Sequence, residues 1–293
     1  MGMRRTILAY AMLAPAIAAV AFLVGYPLWL AATVSMRLGR TMNLAQLDRR
    51  PVGWDNYLRV LDDPAVWAAF GRSAVYVAGS VAPAFAIGFA IALLLNREFP
   101  GRRWVRSVLM LPWAVPGVVT SIAFLWLLDG SYGVGNSILR RLGLIDDGIA
   151  WFVRQDTAMF AVIVPTVWKS FPFFTLTLLA AMQSIPVQLY EAARIDGANA
   201  LAILRNVTWP GIRGPALLAV VLNALWALKE LDIIFAATGG GPAGATETLA
   251  LTVYLEAFAN FRLGSASALG LITMLLCALL VLASLPRMRQ RFF

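Results

Sequence analysis

Histidine is absent from this chain, cysteine occurs once, lysine twice, and only 13% of its 293 residues are charged. Without histidine there is no imidazole for acid–base chemistry. With Cys277 alone, neither an internal disulfide nor a Cys/His metal cluster can be built. Cys277 lies in an apolar run and reads as a small packing residue. Soluble domains carry about 25% charged residues, so the shortfall argues against an ordinary soluble protein. Hydrophobic residues fill the gap, at 60% of the chain with a mean hydropathy of +0.76. A backbone in such surroundings must satisfy its own hydrogen bonds, in helices or in a closed barrel. The apolar runs are continuous rather than alternating, which excludes the barrel pattern. The expected fold class is therefore an all-α membrane protein of six transmembrane helices.

A span needs roughly 20 mostly apolar residues. Six stretches qualify: 7–36, 73–96, 104–128, 158–182, 215–237 and 264–286. Arg4 and Arg5 precede the first, but its length and the lack of a small-residue cleavage site read as an anchor helix. Pro83, Pro112, Pro116, Pro165 and Pro172 fall inside spans, where neighbouring helices can satisfy the freed carbonyls. The net charge of +9 comes from basic residues flanking these spans, so it reads as membrane topology rather than nucleic-acid binding. With six spans both termini share a side, which carries twelve arginines against ten on the other. The positive-inside bias then places the termini in the cytoplasm. Loops 37–72 and 129–157 mix charge with Trp54, Tyr57, Trp67, Trp151 and Phe152, and read as interfacial segments on the outer face.

Residues 183–214, between the fourth and fifth spans, form a loop of another kind. Pro186 can start a helix, and Leu189–Asp196 supply two turns of helix formers, with Glu191 near the positive end. Gly197 can adopt the left-handed conformation that ends a helix and redirects the chain. Ala198–Thr208 can form a second helix, closed by Pro210. The small residues Ala192, Ala193 and Ala198 allow a partner surface to approach closely. From the residues alone, the segment reads equally as an interfacial hairpin lying on the membrane.

The segment resembles the Glu-Ala-Ala loop of binding-protein-dependent ABC importer permeases. Glu191-Ala192-Ala193, Gly197 and Pro210 fall at that family's spacing, with Val207 and Trp209 where it has Ile and Leu. Tyr190 to Ala198 is similar to the carbohydrate branch, the maltose, glycerol-phosphate and trehalose type. So are Leu111–Pro116, Val167–Phe173, and Thr238–Pro242 with Ala245–Thr248. The resemblance implies a type I ABC importer permease fold, one transmembrane domain over 1–293 with cytoplasmic coupling helices in 183–214. It also implies that Glu191, Ala192, Ala193, Asp196, Gly197 and Pro210 dock into an ATPase subunit. The implied partners are a second permease, two ATPase subunits, an extracytoplasmic solute-binding protein and a sugar or sugar-like solute. Lys169 and Lys229 are the only lysines and neither sits in a phosphate-loop motif, so ATP hydrolysis must come from another polypeptide. ATP and Mg would be bound there, with no cofactor or catalytic residue in this chain.

Polar residues inside the spans are the remaining signal. A cation at mid-membrane is costly, so Lys169 should face the bundle interior. At about 100° per residue, Thr166, Lys169, Ser170, Phe173 and Thr177 share one face. Asn223, Trp226, Lys229 and Glu230 form a second stripe, with Asp232 off it. The resemblance carries a solute-lining role to Thr166, Lys169, Ser170, Phe173 and Asn223, with Trp226 beside them. The competing assignment is an ion-pair network tying the fourth and fifth spans together. Two other classes compete with this reading. An ion-coupled secondary transporter would need membrane carboxylates, of which Glu230 and Asp232 alone qualify, and it leaves the hairpin unexplained. A membrane-embedded enzyme lacks the residues for catalysis.

Overall fold

The computed structural model describes residues 2–39 and 50–288. Arg40, Asp48 and Arg49 of the first loop, and Arg289 and Arg291 near the C-terminus, lie outside the described residues. In chain order the helices are α1 (Gly2–Val20), α2 (Tyr26–Ser35), α3 (Asp55–Asp62), α4 (Pro64–Leu95), α5 (Arg102–Leu109), α6 (Leu111–Ala114), α7 (Gly117–Leu127) and α8 (Val134–Arg141). They continue with α9 (Gln155–Gln183), α10 (Val187–Ile195), α11 (Ala200–Ile203), α12 (Trp209–Leu228), α13 (Asp232–Thr238), α14 (Leu249–Tyr254) and α15 (Leu263–Met288). Single π turns occupy Ala21–Gly25, Leu204–Thr208 and Leu255–Ala259. Among the described residues there is no strand, only an isolated bridge between Arg37 and Pro51.

Five helical runs are long and apolar enough to span a membrane: Met12–Ser35, Pro64–Leu95, Gln155–Gln183, Ala200–Leu228 and Leu263–Pro286. The sixth is broken. Arg102–Ala114 and Gly117–Leu127 meet at 97°, so the expected single helix over 104–128 does not form. The cause is Pro116, which lacks an N–H and disfavours helical geometry in the residue before it. Val115 is accordingly extended, at φ −73° and ψ 131°.

Two further boundaries differ from the hydropathy reading. Helix α4 begins at Pro64, inside the expected loop 37–72, because proline suits a first helical position. The Asp63 carboxylate also accepts the Ala65 N–H at 2.8 Å. The fifth span covers Ala200–Leu228 rather than 215–237, and Pro210 does not close it. The preceding π turn absorbs the proline: Trp209 N–H reaches back to the Leu204 carbonyl, so the helix continues past the missing donor.

The chain divides into two units. In the first, the described residues up to 67 with 252–275, Asn56 is buried and ties the end of α2 to α3. Its amide donates to the carbonyls of Ser35 and Arg37, each at 2.8 Å.

The second unit, 68–251 with the described residues from 276, holds α9 and α12 side by side. Its core includes Phe174, Leu178, Leu179 and Met182 of α9, Ile212, Ala216 and Ala219 of α12, and Ile233 and Ile234 of α13. Lipid is as apolar as these side chains, so packing and hydrogen bonds rather than escape from water hold the helices together. Gly88 shows the closeness required: a Cβ there would lie 2.5 Å from Phe174 Cβ and 2.8 Å from the Phe171 carbonyl. Buried Tyr76 and Thr166 share a hydrogen bond of 2.6 Å between α4 and α9. Ser121 Oγ donates to the Ile233 carbonyl at 3.2 Å and fixes α7 to α13. The glycine-rich turn after α13 is closed by the Thr238–Thr246 hydroxyl pair at 2.6 Å. Arg72 Nε anchors its far end, donating to the Glu247 carbonyl at 2.7 Å.

Candidate functional site

Because the broken span turns aside at Val115, α9 and α12 are left facing an open space. A cavity of about 290 Å³ forms there, lined by Trp113, Thr166, Lys169, Ser170, Asn223, Trp226, Ala227, Glu230 and Ile233. Five of the residues expected on the solute path therefore meet around one space. Phe173 is not on the lining. It packs edge-on against Trp226, ring centroids 4.8 Å apart, and sets the angle of that indole.

The polar groups differ in how they are occupied. Thr166 is spoken for, bonded to Tyr76 and to the Val162 carbonyl at 3.1 Å. Lys169 Nζ donates to the Val115 carbonyl at 2.6 Å and lies 3.5 Å from that of Trp113. These carbonyls end α6, where the bend removes their helical donors, so the ammonium acts as a helix C-cap. Glu230 Oε1 accepts the Ile233 N–H at 3.1 Å at the start of α13. Among the described residues, Lys169, Lys229, Glu230 and Asp232 form no direct ion pair with one another. Two polar side chains on the lining, Ser170 and Asn223, make no hydrogen bond within the described residues, and Asn223, a residue only 3% exposed, opens its amide on the cavity.

Sequence reasoning missed Trp113, Ala227 and Ile233 as lining residues and left Glu230 off the solute path. Trp113 could have been found: the prolines at 112 and 116 bracket it and mark the break that turns it inward.

The hairpin between α9 and α12 is the second candidate. Pro186 precedes α10, and Gly197 follows its C-cap at φ +77°. Two backbone bonds close the turn, Ala198 N to Ala193 O at 2.9 Å and Gly197 N to Arg194 O at 3.1 Å, the paired pattern of a Schellman ending. Asn199 then caps α11, its Oδ1 accepting the Ala202 N–H at 2.9 Å. The Tyr190 and Thr208 hydroxyls sit 3.4 Å apart and bind α10 to the π turn. Glu191 lies in the second turn of α10, not at its start. Its carboxylate and the side chain of Asp196 are exposed and have no partner among the described residues. Apolar groups stand beside them: Ile195 is 86% exposed and Leu201 72%. Trp209, where the resemblance expects Leu, is held edge-on by Phe89 at 6.1 Å.

Five apolar spans with a broken sixth, a cavity with polar lining beside α9 and α12, and an exposed helical hairpin joining those two helices fit a membrane transport protein. Comparison with known proteins makes this specific. The family of binding-protein-dependent transport system inner membrane components matches residues 84–291, and the chain belongs to that family. It is an inner-membrane permease subunit of an ABC importer, which sets aside the ion-coupled alternative. The trehalose/maltose transport system permease protein of Thermococcus litoralis is 35% identical over 240 residues, 82% of this chain and 81% of that one. The sulfoquinovosyl glycerol transport system permease protein of Agrobacterium fabrum is 33% identical over 267 residues, 91% of this chain and 85% of that one. A chain of a bacterial alginate ABC transporter, solved with an alginate pentasaccharide-bound periplasmic protein, superposes with a TM-score of 0.82. It covers 98% of this chain and 97% of its own at 21% identity, and establishes the type I fold.

Proposed function

We propose that this chain forms, with a second permease subunit, the membrane path of a sugar-class solute, and that it is not itself catalytic. The observation that carries the reading is Asn223. Its amide makes no hydrogen bond with the described residues and opens on a cavity flanked by two indoles, where a solute hydroxyl can pair with it. An amide and hydroxyls beside aromatic faces suit a ring that is apolar on its face and hydrogen-bonding at its edge. Relatives named for sugar transport support the same class. Lys169 is occupied by backbone carbonyls, which favours a neutral sugar over an anionic one.

In this reading residues 183–214 face the cytoplasm, as do both termini. Glu191, Ala192, Ala193, Asp196, Gly197 and Pro210 form or shape the surface that docks on one of two ATPase subunits, where ATP and Mg bind. The exposed Ile195 and Leu201 give that surface its apolar centre. A solute-binding protein delivers the sugar from outside, and ATP-driven closure of the ATPases opens the cavity toward it.

The test is uptake by the complete transporter in proteoliposomes, with solutes chosen by thermal shift of the binding protein. Asn223→Ala should lower sugar uptake about three- to tenfold, the worth of one hydrogen bond. ATPase stimulation by the binding protein should persist. Wild-type uptake in this variant would refute the solute-path assignment.

A further inference from the structure

A second concave site shares no lining residue with the solute path. It measures about 450 Å³ and is lined by Glu98, Phe99, Gly101, Arg102, Arg103 and Trp104. It opens directly after α4, at one end of a helix long and apolar enough to cross a membrane.

Four arginines crowd this turn: Arg97, Arg102, Arg103 and Arg106. Among the described residues none of their guanidiniums has a hydrogen bond or ion pair. Glu98 is likewise unpaired, although it lines the same site. The helix that follows is sharply two-sided. At about 100° per residue, Arg102, Arg103, Arg106 and Ser107 fill one arc of about 140°, and Trp104, Val105, Val108 and Leu109 the opposite one. No residue of α5 is buried, and Trp104 is 79% exposed.

An arginine fork matches phosphate geometry bidentately. An amphipathic basic helix with an exposed tryptophan is built for the boundary between headgroups and acyl chains. From this juxtaposition we infer that Arg102, Arg103 and Arg106 form a binding site for the phosphate headgroup of an anionic phospholipid, with Trp104 and Val108 against its acyl chains. The occupant is lipid rather than free phosphate because the apolar arc needs covering as much as the charges need pairing. The inference requires only that the chain lie in a membrane and is independent of the solute.

Each basic residue near an anionic surface is worth about a fivefold gain in affinity, so three together give on the order of a hundredfold. The full chain in neutral detergent, supplemented with phosphatidylglycerol or phosphatidylcholine, provides the test by thermal unfolding. Phosphatidylglycerol should raise the melting temperature well above phosphatidylcholine. Arg102→Gln/Arg103→Gln/Arg106→Gln should abolish that difference while leaving the phosphatidylcholine value unchanged. Arg140→Gln/Arg141→Gln on α8 should retain it. Equal stabilisation by both lipids, a persistent difference in the triple variant, or reproduction of the shift by inorganic phosphate alone would overturn the site. Should the triple variant not express, Arg102→Gln alone read by native mass spectrometry decides: it should retain fewer phosphatidylglycerol adducts than wild type, and an equal number overturns the inference. If the variant loses co-purifying ATPase while its lipid response stays intact, this face belongs to a protein partner instead.

Discussion

Gly197→Val isolates one physical requirement of the hairpin. Gly197 sits at φ +77°, and a Cβ placed there meets no atom within 4 Å. Steric exclusion within the chain is therefore not the issue, and the cost is conformational. A left-handed backbone costs an L-residue roughly 1–2 kcal/mol, and a β-branched one up to about 3 kcal/mol. A penalty near 2 kcal/mol reduces the population of the closed turn about 30-fold against any competing geometry. The competitor must surrender the bonds from Gly197 N and Ala198 N, which moderates the effect without cancelling it. In proteoliposomes carrying the whole transporter, Gly197→Val should cut ATP-dependent uptake by about tenfold, with unchanged membrane expression and unchanged capture of solute by the binding protein. Gly197→Asn should stay within about twofold of wild type, because Asn tolerates the left-handed region. Full uptake in the valine variant at normal expression would refute the argument. So would an asparagine variant as impaired as the valine one, since that would shift the requirement from backbone conformation to room for a partner.

Lys169→Met removes a charged donor from the Val115 carbonyl, at about 1.5–3 kcal/mol. Melting temperature should fall, uptake of neutral and anionic sugars should drop alike, and Glu230→Gln should give no rescue; a selective loss of anionic solute at unchanged melting temperature would overturn the capping role. Gly88→Leu forces carbon into Phe174 and the Phe171 carbonyl, an overpacking cost of about 1–3 kcal/mol. The variant should melt several degrees lower in detergent, and an unchanged melting curve would show that α4 can move away from α9 freely.

Hydropathy located the spans because their apolar runs are long, and it located the hairpin because Pro186 and Gly197 punctuate it. What it missed has a common cause: backbone events that leave little trace in composition. Pro116 and Pro210 look alike as letters. One breaks its helix at 97°, because the residue before it turns extended. The other is passed by a change of hydrogen-bond register begun six residues earlier, at Leu204. Helical periodicity put Thr166, Lys169 and Ser170 on one face, and the cavity agrees. Periodicity within one helix could not reveal that Lys169 faces carbonyls on another chain segment instead of the carboxylate of Glu230. The extent of α4 was similarly hidden, since Asp62, Asp63 and Arg72 dilute the hydropathy of a helix that Asp63 itself caps.

The continuation of the helix past Pro210 has a mechanical consequence. Ala200–Leu228 is one run, so the hairpin end and the cavity end are two points on a single rod. At 1.5 Å per residue, Ala200 and Asn223 stand about 35 Å apart along it. A tilt of about 10° imposed at the hairpin then carries the Asn223 amide sideways by about 6 Å, twice the length of the hydrogen bond it would make. On the proposed solute path, grip and release at Asn223 would follow from a small rotation of the rod on which it is mounted.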